Sequence, residues 1–347
     1  MVKKVLVFNV GSSTIKVSLF RDSKKVFFKK YENLKTNKDY KNSFDSIFRI
    51  IKPNDFDIIA HRVVHGGDIN KTVKINRKIK KRINKFSKFA PLHNPQELEI
   101  INLAEKFHKP QYAVFDTSFF TSLPKISTTY PIPKELTEKY QIKRYGFHGL
   151  SHKAVSSNLK GKTITCHLGA GCSMSAIKDG KPIDTSMGLT PLEGLMMMTR
   201  SGSVDPGLIL FLQHQGHNLD KILNFESGFK GLCNLEDFKD VLKNLKHPRV
   251  KLAYDIFIYQ IVKYIGAYAA ELEGLNNLVF TGAIGEGSWK LREDVCKHFY
   301  FLDLKIDHNK NINNQEIISS SGSKINVLVR QANEDEIIVK EVLKIVK

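Results

Sequence analysis

The sequence predicts an α/β fold built from two halves on one plan. Three observations lead there. Strand-like and helix-like segments alternate along the 347 residues, the pattern of α/β proteins. Small-residue turns close three apolar strands, at 11–14, 169–171 and 282–287. And "VLVFNVGSSTIKVSLFRDSK" is echoed by "TITCHLGAGCSMSAIKDGK": each is an apolar strand, a small turn, a second strand and a polar turn.

In chain order, residues 4–10, 15–20 and 25–31 alternate or run apolar as strands do. A helix is expected around 43–51. "DIIAHRVVHGG" reads as a buried strand ending in a glycine turn. "NPQELEIINLAEKF" is a helix, with Asn94 able to cap it, Pro95 at its first position and acids in its first turn. "QYAVFDTSFF" is a strand ending at Asp116, and "RYGFHGLSHKAVSSNL" runs from a glycine-rich turn into a helix. The second half restarts with the echo above, whose polar turn is Asp179-Gly180. Residues 207–250 are mostly helical and polar, with Pro248 as a breaker. "FIYQIVKYIGAYAAEL" is a buried helix, "NNLVFTGAIGEGS" a strand with a glycine turn, and "DEIIVKEVLKIVK" a closing helix.

Composition excludes several classes. With 41% hydrophobic and 26% charged residues, a sizeable core forms and disorder is not expected. No apolar run approaches a membrane span. "MVKKVLVFNVGSS" has basic residues before an apolar run, but the run is short, β-branched and interrupted by Asn9 and Gly11. It reads as a buried strand of a cytoplasmic protein rather than a signal peptide. Four cysteines, Cys166, Cys172, Cys233 and Cys296, contain no C-x-x-C pair, which argues against a disulfide framework or structural zinc. The net charge of +19 favours anionic partners. The run "KTVKINRKIKKRINKFSK" lacks the aromatic interleaving of a nucleic-acid platform and reads as a solvated helix face. Neither nucleic acid nor membrane is expected as a partner.

Backbone N–H groups in small-residue turns, with hydroxyls beside them, cradle phosphate oxygens. Three such turns at strand C-termini point to a nucleotide site. The chain has neither G-x-x-x-x-G-K-[ST] nor G-x-G-x-x-G in a βαβ setting, so it is not a P-loop or Rossmann protein.

"FNVGSSTIK", "HRVVHGG", "APLHNP", "FDTSFF", "RYGFHGLSH", "CHLGAGCSM", "DTSMGLTPLEGLMMMTRSGSVDP", "FTGAIGEGS" and "ANEDE" occur in the order seen in acetate kinases. By these motifs the chain resembles the short-chain carboxylate kinases of the sugar-kinase/heat-shock/actin superfamily over nearly its whole length. It looks shorter than typical members, with trimming most evident between residues 20 and 57. The resemblance implies duplicated ribonuclease-H-like domains flanking a central nucleotide cleft. The expected boundaries are 1–150 plus 333–347 for the N-terminal domain and 151–332 for the nucleotide-binding one. It also implies the reaction acetate + ATP ⇌ acetyl phosphate + ADP, a magnesium ion (manganese as an alternative) and a homodimer.

That reaction needs no general base, because a carboxylate is already ionised at neutral pH. It needs cations and in-line positioning, so that one anion approaches another. By resemblance, Arg62 binds the acetate carboxylate, Arg200 stabilises the transferring phosphoryl group, and His148 hydrogen-bonds its equatorial oxygens. Asp116 matches the essential aspartate, and an orienting role is expected for it, holding Arg200 or a metal-bound water. An acid/base role is the competing view. Asn9 and Glu334 are expected at the metal. Val64, Leu92, Phe147 and Pro191 match the pocket for the methyl group. Ser12, Thr14, Lys16, His167, Leu168, Gly169, Ala170, Gly171, the stretch Asp237-Phe238-Lys239 and the loop Ala283, Ile284, Gly285, Glu286, Gly287 match the nucleotide residues.

Departures from the family pattern fall mainly at the nucleotide. Ala170 and Gly287 stand where Asn is usual, Lys239 where Arg is, and Phe120 where His ends the "FDTAFH" motif. They leave GTP or pyrophosphate open as donor, and propionate or butyrate remain rival acceptors. An actin-like binding module is the rival of another class, disfavoured because it has no need of Arg62, Arg200 and His148.

Overall fold

A computed structural model describes residues 3–11 and 13–346. The chain divides into two compact units: Met1–Thr121 with Phe147–Ala154 and Asn333–Lys347, and Ser122–Gly146 with Val155–Ala332. Relative to the expected boundaries, residues 122–146 group with the second unit. The local reason is backbone capture. The Ser127 hydroxyl donates to the Ile183 carbonyl at 2.8 Å, and the Tyr145 N–H donates to Gly188 O at 3.0 Å.

The first unit holds β1 (Lys4–Val10), β2 (Ile15–Arg21), β3 (Lys24–Tyr31), β4 (Ile58–Val63), β5 (Val73–Lys74) and β6 (Gln111–Phe115), in the order β3-β2-β1-β4-β6-β5. β1–β2–β3 form an antiparallel meander, while β1, β4 and β6 are parallel neighbours. β1 is buried on both faces, which explains its nearly unbroken apolar run. Leu6, Phe8 and Val10 face the helices Asn37–Ile47 and Asn94–Ala104; Val5 and Val7 face the closing helix Glu334–Ile345. By the two-residue period, Asn9 shares the face of Val5 and Val7, toward the acidic first turn of that closing helix. The helix expected around 43–51 lies at Asn37–Ile47, because Thr36 caps it in a reciprocal capping box with Asp39.

The second unit holds β7 (Lys162–Leu168), β8 (Cys172–Lys178), β9 (Lys181–Thr185), β10 (Asn277–Thr281) and β11 (Asn326–Val329), in the order β11-β10-β7-β8-β9. β7–β8–β9 again form an antiparallel meander, and β7, β10 and β11 are parallel. Read from the meander outward, the sheets run 3-2-1-4-6 and 9-8-7-10-11, so the faint repeat in the sequence is a repeat of topology. Pro248 does not simply interrupt: it opens the 24-residue helix Pro248–Glu271, at a position where its missing N–H costs nothing. The expected turn at 282–287 is a short helix, Gly282–Gly287, entered directly from β10. The basic run forms the helix Arg77–Phe86, capped by Asn76, with only Ile83 and Phe86 buried. Cys166, Cys172 and Cys296 are buried and Cys233 half-buried, all as free thiols. Among the described residues, no helix is long and apolar enough to cross a membrane.

Candidate functional site

In the first unit, three parallel strands end side by side. Asn9 lies near the end of β1, Arg62 near the end of β4, and Asp116 directly follows β6. Arg62 Nε and Nη2 donate to Asp116 Oδ1 and Oδ2 at 3.3 and 2.6 Å, and Nη1 donates to Asn9 Oδ1 at 3.1 Å. Asp116 is fully buried and Arg62 is 8% exposed. Burial by itself would lower the guanidinium pKa, but Asp116, then Glu334, hold it above its ordinary value, so Arg62 stays charged. Asp116 thus holds Arg62 through both of its carboxylate oxygens.

Asn9 Nδ2 donates in turn to Glu334 Oε2 at 2.7 Å and to Asp335 Oδ1 at 3.3 Å, while the Ser18 hydroxyl binds Asp335 Oδ2. Lys16 lies opposite Asn9 in the hairpin register and so shares its face. Thr14 closes the turn by accepting the Gly11 N–H at 2.8 Å. Ser12 lies outside the described residues. His148 has φ +55°, a left-handed conformation uncommon for a side-chain-bearing residue and frequent where function holds the backbone. Gly149 follows it because a β-carbon there would fall 1.9 Å from the Asp116 carbonyl oxygen.

Val64 and Phe147 are buried, and Phe147 meets His65 edge-on at 5.5 Å. Two groups whose part here the sequence did not show hold this wall; Asn94, expected to cap its helix, is instead the helix's first residue, with His93 at the cap and Pro95 second, because its side chain is spent on His65. Glu97 accepts the Val64 N–H, and Asn94 accepts the His65 N–H at 3.0 Å while donating to His65 O at 3.0 Å. Burial raises the Glu97 pKa to about 8, against the attraction of Arg62. Its place in a first helical turn looked like an ordinary dipole partner, so the sequence carried no separate signal. Leu92 is half-buried two residues before that helix.

In the second unit, a cavity of about 230 Å³ is lined by Ala170, by Asp237, Phe238 and Lys239, and by Ala283, Ile284 and Gly287. Three separate motifs of the sequence thus line one hollow. Phe238 is anchored edge-on against Phe229 at 5.7 Å, and Asp237 caps the helix Phe238–Lys243. Gly169 and Gly171 close the β7–β8 turn through an N–H···O bond of 3.1 Å, and His167 and Leu168 end β7. Gly285 is buried beneath this loop. The Glu286 carboxylate turns back to accept the Gly282 N–H at 2.9 Å, so it braces the loop rather than facing the cavity.

Arg292, absent from the expected residues, is fully buried behind that loop. Its guanidinium donates to Gly285 O and Glu286 O at 2.8 and 2.7 Å, to Asn311 Oδ1 and O at 2.7 and 2.8 Å, and to Asn314 Oδ1 at 2.6 Å. All five N–H groups are used on neutral oxygens.

Arg200 contrasts with Arg62. It is half-buried, and its guanidinium donates to Pro191 O at 3.4 Å and contacts Met197 Sδ at 3.6 Å. Among the described residues it has no carboxylate partner. Burial lowers its pKa, opposed by Cys172. A desolvated cation without a counter-ion is costly, and an anionic ligand relieves that cost.

The chain matches the model of the Acetokinase family over residues 29–340. It is 38% identical to an acetate kinase of Carboxydothermus hydrogenoformans, covering 99% of each chain; the 394 aligned positions exceed this chain's 347 residues, so the relative carries stretches that this chain lacks. Among solved structures, it is similar to a propionate kinase from Francisella tularensis subsp. tularensis SCHU S4 (35% identity, TM-score 0.88, 98% of each chain). It is also similar to Porphyromonas gingivalis acetate kinase (32% identity, TM-score 0.85, 99% of this chain and 100% of that one). With motifs from both units, a duplicated sheet order and near-complete coverage in agreement, the chain belongs to the acetokinase family.

Proposed function

We propose that this chain is an acetate kinase that transfers the terminal phosphoryl group of ATP to acetate by direct in-line attack of the carboxylate. The observation that carries the reading is Arg200, a half-buried guanidinium that, among the described residues, meets a carbonyl and a thioether and no carboxylate. Such a cation suits a transferring phosphoryl group, on which charge is spread over three oxygens. Arg62 supplies the second cation. Because Asp116 holds two of its N–H groups and Asn9 a third, acetate would take the two that remain, and the carboxylate of Asp116 fixes the plane of the fork. Acetate arrives ionised, so no residue needs to remove a proton from it. His148 is assigned to the equatorial phosphoryl oxygens. Val64, Leu92, Phe147 and Pro191 are assigned to the methyl group.

The acidic residues beside Asn9 fit a divalent ion. Magnesium takes one or two carboxylates and completes its shell with water and phosphate, a demand that Glu334 can meet. Glu334 would hold the ion, with Asn9 orienting the carboxylate through Nδ2, and manganese has the same oxygen preference. Bound there, the ion offsets phosphate charge. The 230 Å³ hollow supports a nucleoside triphosphate over pyrophosphate, because a donor without a base leaves it unused.

The helix Pro206–His214 exposes Leu208, Leu210 and Phe211, at 44%, 56% and 58%, which supports a homodimer; light scattering of the purified chain tests it. Dependence on ATP goes with a cytoplasmic protein. The likeness to a propionate kinase favours propionate as a second acceptor, since one methylene changes binding by only about 1–3 kcal/mol.

The test is an acetate- and ATP-dependent hydroxamate assay on the parent and Arg200→Ala. Activity in the parent and near-complete loss in the variant are expected. Equal activity in both removes Arg200 from the mechanism, and an inactive parent removes the acetate kinase reading.

A further inference from the structure

We propose that Glu193, gripped by Tyr130 and Arg144, is a positioning residue that sets the loop carrying Pro191 and Arg200. The proposal rests on the reading of Arg200 given above. Residues 194–203 form a closed loop. The Gly194 N–H donates to Ser203 Oγ at 3.0 Å, the Ser203 N–H to Gly194 O at 2.9 Å, and the Met197 N–H to Arg200 O at 3.0 Å. Glu193 immediately precedes the base of this loop.

Both oxygens of Glu193 are taken. Oε1 accepts Arg144 Nη2 at 2.6 Å, and Oε2 accepts the Tyr130 hydroxyl, whose oxygen accepts the Leu189 N–H at 2.9 Å. Arg144 ties the same carboxylate to the start of the segment: Nη1 donates to Thr185 O and Ser186 O at 3.1 and 3.3 Å, and Nε to Ser127 O at 3.1 Å. One guanidinium therefore spans the end of β9, the base of the loop and the 122–146 stretch. The packing is tight: a β-carbon at Gly188 would lie 1.7 Å from Glu193 Oε2 and 2.0 Å from the Tyr130 oxygen. The pair is not a rim salt bridge, because the Arg144 side chain is 19% exposed and its other donors end on the backbone carbonyls of Thr185, Ser186 and Ser127.

The chemistry makes the carboxylate hard to replace. It accepts from a guanidinium on one side and a hydroxyl on the other. An amide of the same shape accepts on one side only and turns an NH₂ toward a donor on the other. Displacing a reactive group by about 1 Å costs on the order of 10²-fold in rate.

The experiment compares the full-length parent with Glu193→Gln and Tyr130→Phe by two readouts: kcat and KM for acetate-dependent phosphoryl transfer, and amide hydrogen exchange across residues 186–203. Bonded amides at Gly194, Met197 and Ser203 should be protected in the parent. The expected result is faster exchange confined to this segment, with kcat lowered about tenfold or more and KM for ATP within about twofold of the parent. Parent-like kcat, with or without faster exchange, overturns the proposal. If Glu193→Gln does not fold, Tyr130→Phe, which removes only a hydroxyl, decides by the same criteria. A parent lacking acetate-dependent transfer defeats the functional reading alone; exchange then decides the positioning role, supporting it if the variants lose protection in the segment and overturning it if they do not.

Discussion

Replacing Asp116 by Asn keeps the shape of the side chain and removes its charge. The parent pairs a fully buried carboxylate with a guanidinium that is 8% exposed, through contacts of 2.6 and 3.3 Å. Removing one partner of a buried pair costs about 3–5 kcal/mol, because the other charge is left uncompensated. Here the cost should fall at the lower end, about 3 kcal/mol. Asn9 Oδ1 still accepts from Arg62 Nη1 at 3.1 Å, and Glu334 still attracts the guanidinium. Against a total stability of about 5–15 kcal/mol, that is a large fraction. Urea titration followed by circular dichroism reads the loss. A double-mutant cycle with Arg62→Met separates the pair from general disturbance: removing both partners should cost less than the sum of the single losses, with a coupling of about 1.5 kcal/mol or more. If Asp116→Asn unfolds within about 1 kcal/mol of the parent, or the cycle shows coupling below about 0.5 kcal/mol, the buried pair is not what holds this corner together.

Two further outcomes are expected. Burial lifts the Glu97 pKa to about 8 from its ordinary 4.5, so between those values the folded chain keeps a proton that the unfolded chain releases. Stability from this group is then full below about pH 4.5 and falls by about 1.4 kcal/mol per pH unit as pH rises toward 8. Glu97→Gln removes that slope, and urea midpoints at pH 5.5 and 7.5, on the order of one carboxylate's titration range, should diverge between parent and variant; parallel midpoints contradict it. Arg292→Lys leaves at most three donors for five oxygens, so the Gly285–Glu286 carbonyls lose their hold. KM for ATP should rise about tenfold, a loss of about 1.4 kcal/mol, with KM for acetate unchanged; an unchanged KM for ATP shows that the loop stands without Arg292.

Much of the scaffold was legible because it is local. The hairpin strands announce themselves by apolar runs broken at small-residue turns, and β1 and β2 lie where periodicity puts them. Where the reading slipped, a short-range competitor was at work. The capping box at Thr36 moved a helix toward the N-terminus, and Pro248 opened a helix instead of ending one. At 282–287 the glycines suggested a turn, yet the segment closes into a helix braced by its own Glu286. The candidate site was legible as motifs, but its pairings were not. Asp116 holds Arg62, 54 residues away, a partner that none of the motifs names. The parallel register that sets Arg62 beside Val114 brings that about, and no sequence spacing reports it.

The sequence by itself determined which residue types stand at the strand ends, the two-fold plan of the chain and its membership of a kinase family, because these reside in local pattern and ordered motifs. Only the tertiary structure decided which charges neutralise one another. Arg62 received a carboxylate and Arg292 a cage of carbonyls, while Arg200, among the described residues, meets one carbonyl and a thioether, and those differences arise from strand register and loop packing across distances that the linear chain does not encode.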